Sequence, residues 1–345
     1  MNSTWQLFLQ QQGAVLQNGI AQHFTPIPSE SNVTQYQATL SDLSQFGTLR
    51  VAGEESQTFL QNLLSNDIRE VSSVRAQISS LNSPKGRVLA TFLIWRDGDD
   101  YLLQLPRVLC EPIRKKLSMY VLRAKVKITD DSDAVISLGL SGTQAQTLLS
   151  QHCNTSLQQC LEVGNLDQGC IIKLAEQQYQ INTTAPHAQI LWQTFSPHAQ
   201  AVGSMHWDRL NIHAGIPVVL PETQEQFVAQ MLNLDLIGGI NFKKGCYPGQ
   251  EIVARMQYLG KLKRRMFLAH VDSEESPQPG NELFSADMDG QASGMIVNGA
   301  SAQNGGFDVL AVVQISSQDT QTIHLNSLQG TPLQFSALPY PLMPN

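Results

Sequence analysis

The stretch VLATFLIWRDGDDYLLQLPRVLCEPIRKKLSMYV, residues 88–121, sets the fold class. Residues 88–95 form a long apolar run, Asp97-Gly98 supplies turn chemistry, and residues 101–105 return as a second apolar run. That is the pattern of a β-hairpin. Leu109, Ile113, Leu117 and Val121 then recur at i, i+4, i+8 and i+12 with Pro112 in the first turn, which predicts an amphipathic helix. A hairpin running straight into a helix favours α+β layers over a doubly wound parallel sheet.

The same alternation continues on both sides. Strands are expected at 49–51, 125–129, 135–140, 171–174 and 179–182. Helices are expected around Phe59, Leu60, Leu63 and Leu64, over 143–150, and over 189–195. Residues 1–40 are Gln-rich and read as an N-terminal extension: Trp5, Phe8 and Leu9 mark one short helix, and an irregular lead-in with Pro26 and Pro28 follows. After Arg265 only short extended runs remain, at 266–271, 282–284, 294–297, 307–315 and 320–325. They predict a small antiparallel barrel or sandwich. The expected divisions are thus 1–40, an α+β region over 41–262 built as two intertwined subdomains, and a β-rich domain over 263–345.

Composition narrows the function. The 345 residues carry 22 Lys+Arg against 29 Asp+Glu, a net charge of −7, which argues against a generally cationic nucleic-acid or membrane-surface protein. No run of about 18 apolar residues is present to span a bilayer. The first basic side chain is Arg50, so no basic leader is read, and a cytoplasmic location is expected. Five scattered cysteines without C-x-x-C make a disulfide scaffold or closed zinc site unexpected.

The basic residues are concentrated. Residues 107–127 hold seven against Glu111, and residues 243–265 hold seven against Glu251. A solvated face is the plain reading of the first window. The second, inside GGINFKKGCYPGQEIVARMQYLGKLKRR (238–265), keeps more telling company. Its glycines permit close backbone approach, Pro248-Gly249 makes a turn, and 251–258 reads as a helix with Glu251 and Arg255 at i, i+4. Cys246 therefore precedes a helix N-terminus, two residues from Lys244 and three from Lys243. Positive charge and amide dipoles favour the thiolate, so this is the cysteine expected to react. Cys110, Cys153, Cys160 and Cys170 read as packed, inert thiols. Upstream, HWDRLNIHAGIP (206–217) reads as a helix with Trp207, Leu210 and Ala214 on one face and His206, Arg209 and His213 on the other. Two histidines seven apart do not make a zinc pair. An aromatic beside a cationic groove suits a flat heteroaromatic ligand.

KGCYPGQE (244–251), followed by Ala254-Arg255, resembles the K-G-C-Y-x-G-Q-E signature of the YgfZ family, folate-binding proteins related in fold to the aminomethyltransferase (T-protein) of the glycine cleavage system. The runs PKGR (84–87), R-x-K-V (123–126), AGIP (214–217), GGINFKKG (238–245) and LPYPL (338–342) are similar to that family too. The resemblance implies a multi-domain ring around a central folate cavity, closed by the C-terminal β-barrel-like module. It implies an accessory factor that binds tetrahydrofolate or a derivative and maintains iron–sulfur enzymes, including those that thiolate tRNA. These clients and folate would be its partners, with no stable nucleic-acid or membrane binding. Cys246 matches the cysteine on which family function depends, either redox-active or a transient iron–sulfur ligand, and Lys244, Tyr247, Gln250, Glu251 and Arg255 match its neighbours. Trp207 matches a folate-associated tryptophan. Phe46 stands where relatives carry a second one, and His213 stands where an E-A-G motif places glutamate. A carboxylate accepts two N–H donors of an aminopyrimidine edge at once, whereas a neutral imidazole accepts one.

Three other readings stay open on the residues alone. The fold relationship allows a folate-dependent aminomethyltransferase, although fold does not carry chemistry. A Cys-nucleophile enzyme would need His206, His213 or His270 brought to Cys246. An RNA-binding module lacks any RNP, KH or zinc-knuckle pattern.

Overall fold

The hairpin and helix that dominate the sequence form as their residue pattern requires. In a computed structural model that describes residues 2–25, 37–258 and 260–342, strands Val88–Asp97 and Asp100–Pro106 meet across the Asp97-Gly98 turn, Asp97 opposite Asp100. Gly98 takes φ +58°, the left-handed conformation such a turn demands. The helix Arg107–Ser118 follows and buries Leu109, Cys110, Ile113 and Leu117, the predicted stripe. Pro112 sits in its second turn, still close enough to the start that few backbone bonds are lost.

The chain divides into two compact units that interleave along the sequence: Met1–Ser56, Arg69–Gln77 and Leu93–Trp207 form one, while Gln57–Ile68, Ile78–Phe92 and Asp208–Asn345 form the other. In the first unit, Phe46–Ala52 lies between Asp100–Pro106 and Lys127–Asp130, antiparallel to both. A six-stranded sheet accompanies it in the order Val163–Leu166, Gly169–Ala175, Gln178–Thr183, Ile136–Ser141, Thr39–Asp42, Gln200–Val202; only its last pairing is parallel. Helices Ser3–Gln11 and Ala185–Phe195 share the core of this unit with that sheet. Trp5 lies edge-on to Trp192, their ring centroids 5.8 Å apart, over Leu40, Leu138, Leu140 and Ile181.

The N-terminal extension is therefore no appendage. Trp5, Phe8, Leu9, Ala21 and Phe24 belong to the first unit's core, and the lead-in includes a hairpin, Ala14–Gln17 with Ile20–Phe24. Its turn is Asn18-Gly19, at φ +52° and +80°. Asn-Gly between short strands is a local signal that could have predicted it. Pro26 and Pro28 lie outside the described residues.

The second unit carries the β-rich C-terminus as a six-stranded antiparallel sheet whose edge strands are bridged at His324 and Pro332, with Leu333 N donating to Ile323 O at 2.8 Å, in keeping with the barrel-like module expected. Its order is His324–Leu325, Glu282–Phe284, Ala292–Ser301, Phe307–Gln314, Arg264–Val271, Leu333–Ser336. Val309, Ala311 and Val313 enter one apolar cluster and Leu310 and Val312 another, so the central strand is buried on both faces. The extended run expected at 320–325 is instead the end of a short helix, Ile315–Thr320, followed by the two-residue strand.

One buried carboxylate in the first unit makes stability depend on pH. Asp42 is fully buried, accepts from Trp5 Nε1 at 2.7 Å and from Ser44 Oγ at 2.8 Å, and burial pushes its pKa from 3.8 up to about 6. Because the folded value is raised, the native state holds the proton more tightly than the unfolded chain. Stability is therefore lost as pH rises from about 4 through 6. An Asp42→Asn variant keeps an acceptor for the indole without the charge. Its stability advantage over the parent is expected to grow by about 1–2 kcal/mol between pH 5 and pH 7.5 in urea unfolding. A constant difference across that range would remove Asp42 as the titrating group.

Candidate functional site

Residues 238–249 form no regular element; their course is fixed by hydrogen bonds to a distant segment of the second unit. Ser65 Oγ donates to Gly239 O at 2.8 Å, Asn66 Nδ2 donates to Gly238 O at 2.6 Å, and Asn241 N donates to Ser65 O at 3.1 Å. The strap GGINFKKG is thus stitched along Ser65-Asn66. These two residues went unread in the sequence, where nothing local marks them.

Lys244 completes the attachment. Its side chain is buried, and Nζ donates to Gln61 O at 2.7 Å, Leu64 O at 2.5 Å and Asn66 O at 2.9 Å. Three carbonyls match the three hydrogens of an ammonium group. Gln61 ends the short helix Ser56–Gln61, whose last carbonyls a cation suits well. Sequence reading set this charge beside the Cys246 sulfur; the structure turns it inward as a clamp. Tyr247 packs behind it, its ring centroid 5.1 Å from Nζ, and burial pushes its phenol pKa up, so it stays neutral.

Between these two buried anchors, Cys246 is exposed. Cys110, Cys153 and Cys170 differ: burial pushes their pKa values up to about 11, about 11 and about 12, which keeps them as thiols. Cys160 is exposed, contrary to the packed reading.

Pro248-Gly249 turns the strap into the helix Gln250–Tyr258, one residue earlier than expected. Gly249 takes φ +77°, and a methyl group there would lie 2.5 Å from Ser83 O and 2.6 Å from Gly86 Cα. Gly86, at φ +71°, leaves equally little room against Ile252. PKGR and PGQE are therefore two glycine turns pressed together, which neither stretch shows alone. Gln250 Nε2 donates back to Lys244 O at 3.4 Å, closing the loop around Cys246. Glu251 and Arg255 are exposed on this helix. AGIP and LPYPL also meet: Tyr340 donates to Gly215 O at 2.8 Å, and its ring lies against Gly215.

The residues matched to folate are placed as follows. His213 ends the helix Ser204–His213, its side chain half exposed, with Nε2 2.8 Å from Asp308 Oδ2. Asp308 also meets His270 Nδ1 at 3.0 Å, so one carboxylate stands between two imidazoles. Trp207 belongs to the first unit and is 1% exposed, its ring seated on Gly139, where a side chain would come within 2.4 Å. Phe46 opens the strand Phe46–Ala52, partly buried.

The basic windows lose much of their free charge to structure. Arg265 is buried in a fork on Asp235, at 2.9 and 2.8 Å, and also donates to Gln230 O. In the first window Arg107 pairs with Asp133, Arg114 and Lys115 with Glu111, and Lys125 with Glu54. Lys243, Lys261 and Lys263 remain exposed near the strap in sequence.

Residues 5–162 match the GCVT N-terminal domain family. Over 326 residues the chain is 27% identical to "tRNA-modifying protein YgfZ" of Escherichia coli O45:K1 (strain S88 / ExPEC), covering 92% of this chain and 99% of the relative. The protein of the same name from Escherichia coli (strain K12 / DH10B) is 27% identical over 325 residues, with the same coverage. Among solved structures, glycine cleavage system aminomethyltransferase T from Bartonella henselae superposes with a TM-score of 0.79 at 16% identity, over 98% of this chain and 97% of that one. The mixed α/β fold is thus that of an aminomethyltransferase. Among the described residues no helix is long and apolar enough to cross a membrane.

Proposed function

From a chain that resembles YgfZ over 92% of its length and folds as an aminomethyltransferase does, we propose a folate-binding factor that supports tRNA modification through iron–sulfur enzymes. The observation that carries this reading is the exposure of Cys246 on a strap whose flanking residues, Lys244 and Tyr247, are buried. An anchored loop holds its sulfur outward at little entropic cost on meeting a partner. Cys246 then acts as a transient ligand or thiol partner toward a client's cluster, which is cargo in this reading. The ring of domains around a central folate cavity belongs to the same proposal.

The donor set bears on the folate itself. His213 has one ring nitrogen engaged by Asp308 and keeps Nδ1 for a ligand N–H, a single contact where a carboxylate would make two. Trp207, with its ring covered, supports the strand beneath it and offers no open stacking face in this conformation. Phe46 is the matched aromatic with exposed surface. Folate supplies a flat pterin and an anionic tail; His213 is proposed to meet the pterin, and the exposed lysines Lys243, Lys261 and Lys263 suit the tail.

Two measurements test the reading. Calorimetry with tetrahydrofolate is expected to give saturable binding, and no heat at millimolar ligand would end the folate assignment. In cells lacking the gene, Cys246→Ala is expected to leave a tRNA-thiolating iron–sulfur enzyme at its deletion level, whereas Cys160→Ala, an equally exposed thiol, restores it. Full restoration by Cys246→Ala would remove the cysteine from the function.

A further inference from the structure

One carboxylate in the second unit holds two imidazoles, and both of its oxygens are committed to them. Asp308 lies in the strand Phe307–Gln314, directly opposite His270 in the antiparallel pairing with Arg264–Val271. Its Oδ1 is 3.0 Å from His270 Nδ1, and its Oδ2 is 2.8 Å from His213 Nε2. Arg209, one turn earlier than His213 on the same helix, interacts with the same charge. Gly306 leaves the His270 ring its place, since a Cβ there would lie 2.9 Å from Nε2. A carboxylate can only accept, so the ring nitrogen that faces each oxygen carries a proton. In a neutral imidazole the other nitrogen is then a bare acceptor. Asp308 thus sets His213 as Nε2–H with Nδ1 unprotonated, and His270 as Nδ1–H with Nε2 unprotonated. Neither of these outer nitrogens has a hydrogen-bond partner among the described residues.

This arrangement decides what the end of the helix can bind. His213 is half exposed, and a fixed lone pair on its Nδ1 attracts an N–H donor and repels an acceptor. With Oδ1 tied to His270, the carboxylate cannot turn away from His213. Nor can Asp308 reach a ligand itself without releasing one of its imidazoles, so it acts through His213. A ring held in place before the ligand arrives spares the cost of ordering it on binding. The same carboxylate explains why position 213 is not acidic. A glutamate there would bring a second negative charge against Asp308 Oδ2, and like charges that close repel. We propose that Asp308 is a positioning residue for folate binding, holding His213 as an acceptor for one N–H of the pterin edge and excluding glutamate from position 213; this rests on the folate reading above.

Two measurements on the full-length protein test it. Two-bond proton–nitrogen correlation spectra of the isotope-labelled protein at mildly alkaline pH read each ring directly, with assignments from His213→Ala and His270→Ala. They are expected to show His213 protonated on Nε2 and His270 on Nδ1, the rarer form of a free histidine. Any other protonation pattern at either ring overturns the proposal, and this measurement needs no variant of Asp308. Calorimetry with tetrahydrofolate is then run as a double-mutant cycle. Asp308→Ala and His213→Ala are each expected to weaken binding about tenfold, the worth of one hydrogen bond, and the double variant no more than His213→Ala alone. Losses that multiply, or an unchanged affinity of Asp308→Ala, end the proposal, because Asp308 then does not act through His213. His213→Glu with Asp308→Ser is expected to bind more tightly than His213→Glu alone; equal affinity removes the exclusion of glutamate. The backbone amide spectrum of each variant reports its folding. No binding by the parent ends the folate reading, and this proposal with it, whereas the failures above leave that reading standing.

Discussion

Lys244→Met is expected to destabilise the protein by about 3–5 kcal/mol. The substitution removes three charge-assisted hydrogen bonds and leaves the carbonyls of Gln61, Leu64 and Asn66 facing a methyl group inside the fold. Neutral hydrogen bonds are each worth about 1 kcal/mol net, but unsatisfied buried acceptors cost more than the bond alone returned. The effect on function follows from the same geometry. With its clamp gone the strap loses its central attachment while Ser65 and Asn66 still hold its start, and protease cleavage within 240–249 should become faster. Denaturant unfolding and limited proteolysis read the two consequences. A loss below about 1 kcal/mol would mean that water satisfies the three carbonyls, and that Lys244 does not hold the strap.

Gly249→Ala is expected to cost about 2–4 kcal/mol, and Gly238 supplies the comparison that explains why. Both glycines have positive φ, +77° and +73°. A methyl group at Gly238 meets nothing within 4 Å, so Gly238→Ala carries only the backbone penalty of about 1 kcal/mol. At Gly249 the same group collides with Ser83 O and Gly86 Cα, backbone atoms that cannot swing aside, and overpacking adds about 1–3 kcal/mol. The excess of the first variant over the second measures the contact between the two glycine turns. If the two substitutions cost the same, that contact is not tight. Because the helix carrying Gln250 starts at this turn, Gly249→Ala is also expected to lower complementation below that of Gly238→Ala.

The two substitutions also show where sequence reading stopped. The hairpin of 88–106, the helix after it and the helix of 250–258 were legible because each follows a local period of 2 or 3.6 residues. The short helix Ile315–Thr320 was not, since ISSQDT carries no apolar stripe; its Ile315 N–H is taken up by Lys263 O. Cys246 was singled out for its neighbours' charge, yet the nearer ammonium is bound to carbonyls some 180 residues earlier in the chain. His213 was legible as a departure from a motif, but not its pairing with Asp308, 95 residues on.

The amino-acid order alone determined the alternation of strands and helices, the β-rich C-terminus and the resemblance carried by KGCYPGQE. These rest on side-chain period, turn chemistry and residue identity, which are properties of neighbours along the chain. Only the tertiary structure decided that Lys244 clamps instead of charging the sulfur, that PKGR and PGQE share one contact, and that residues 2–25 complete a core. A backbone carbonyl carries no residue identity, and the space around a glycine depends on which segment folds against it. Partners of that kind exist only once distant stretches of chain have been brought together.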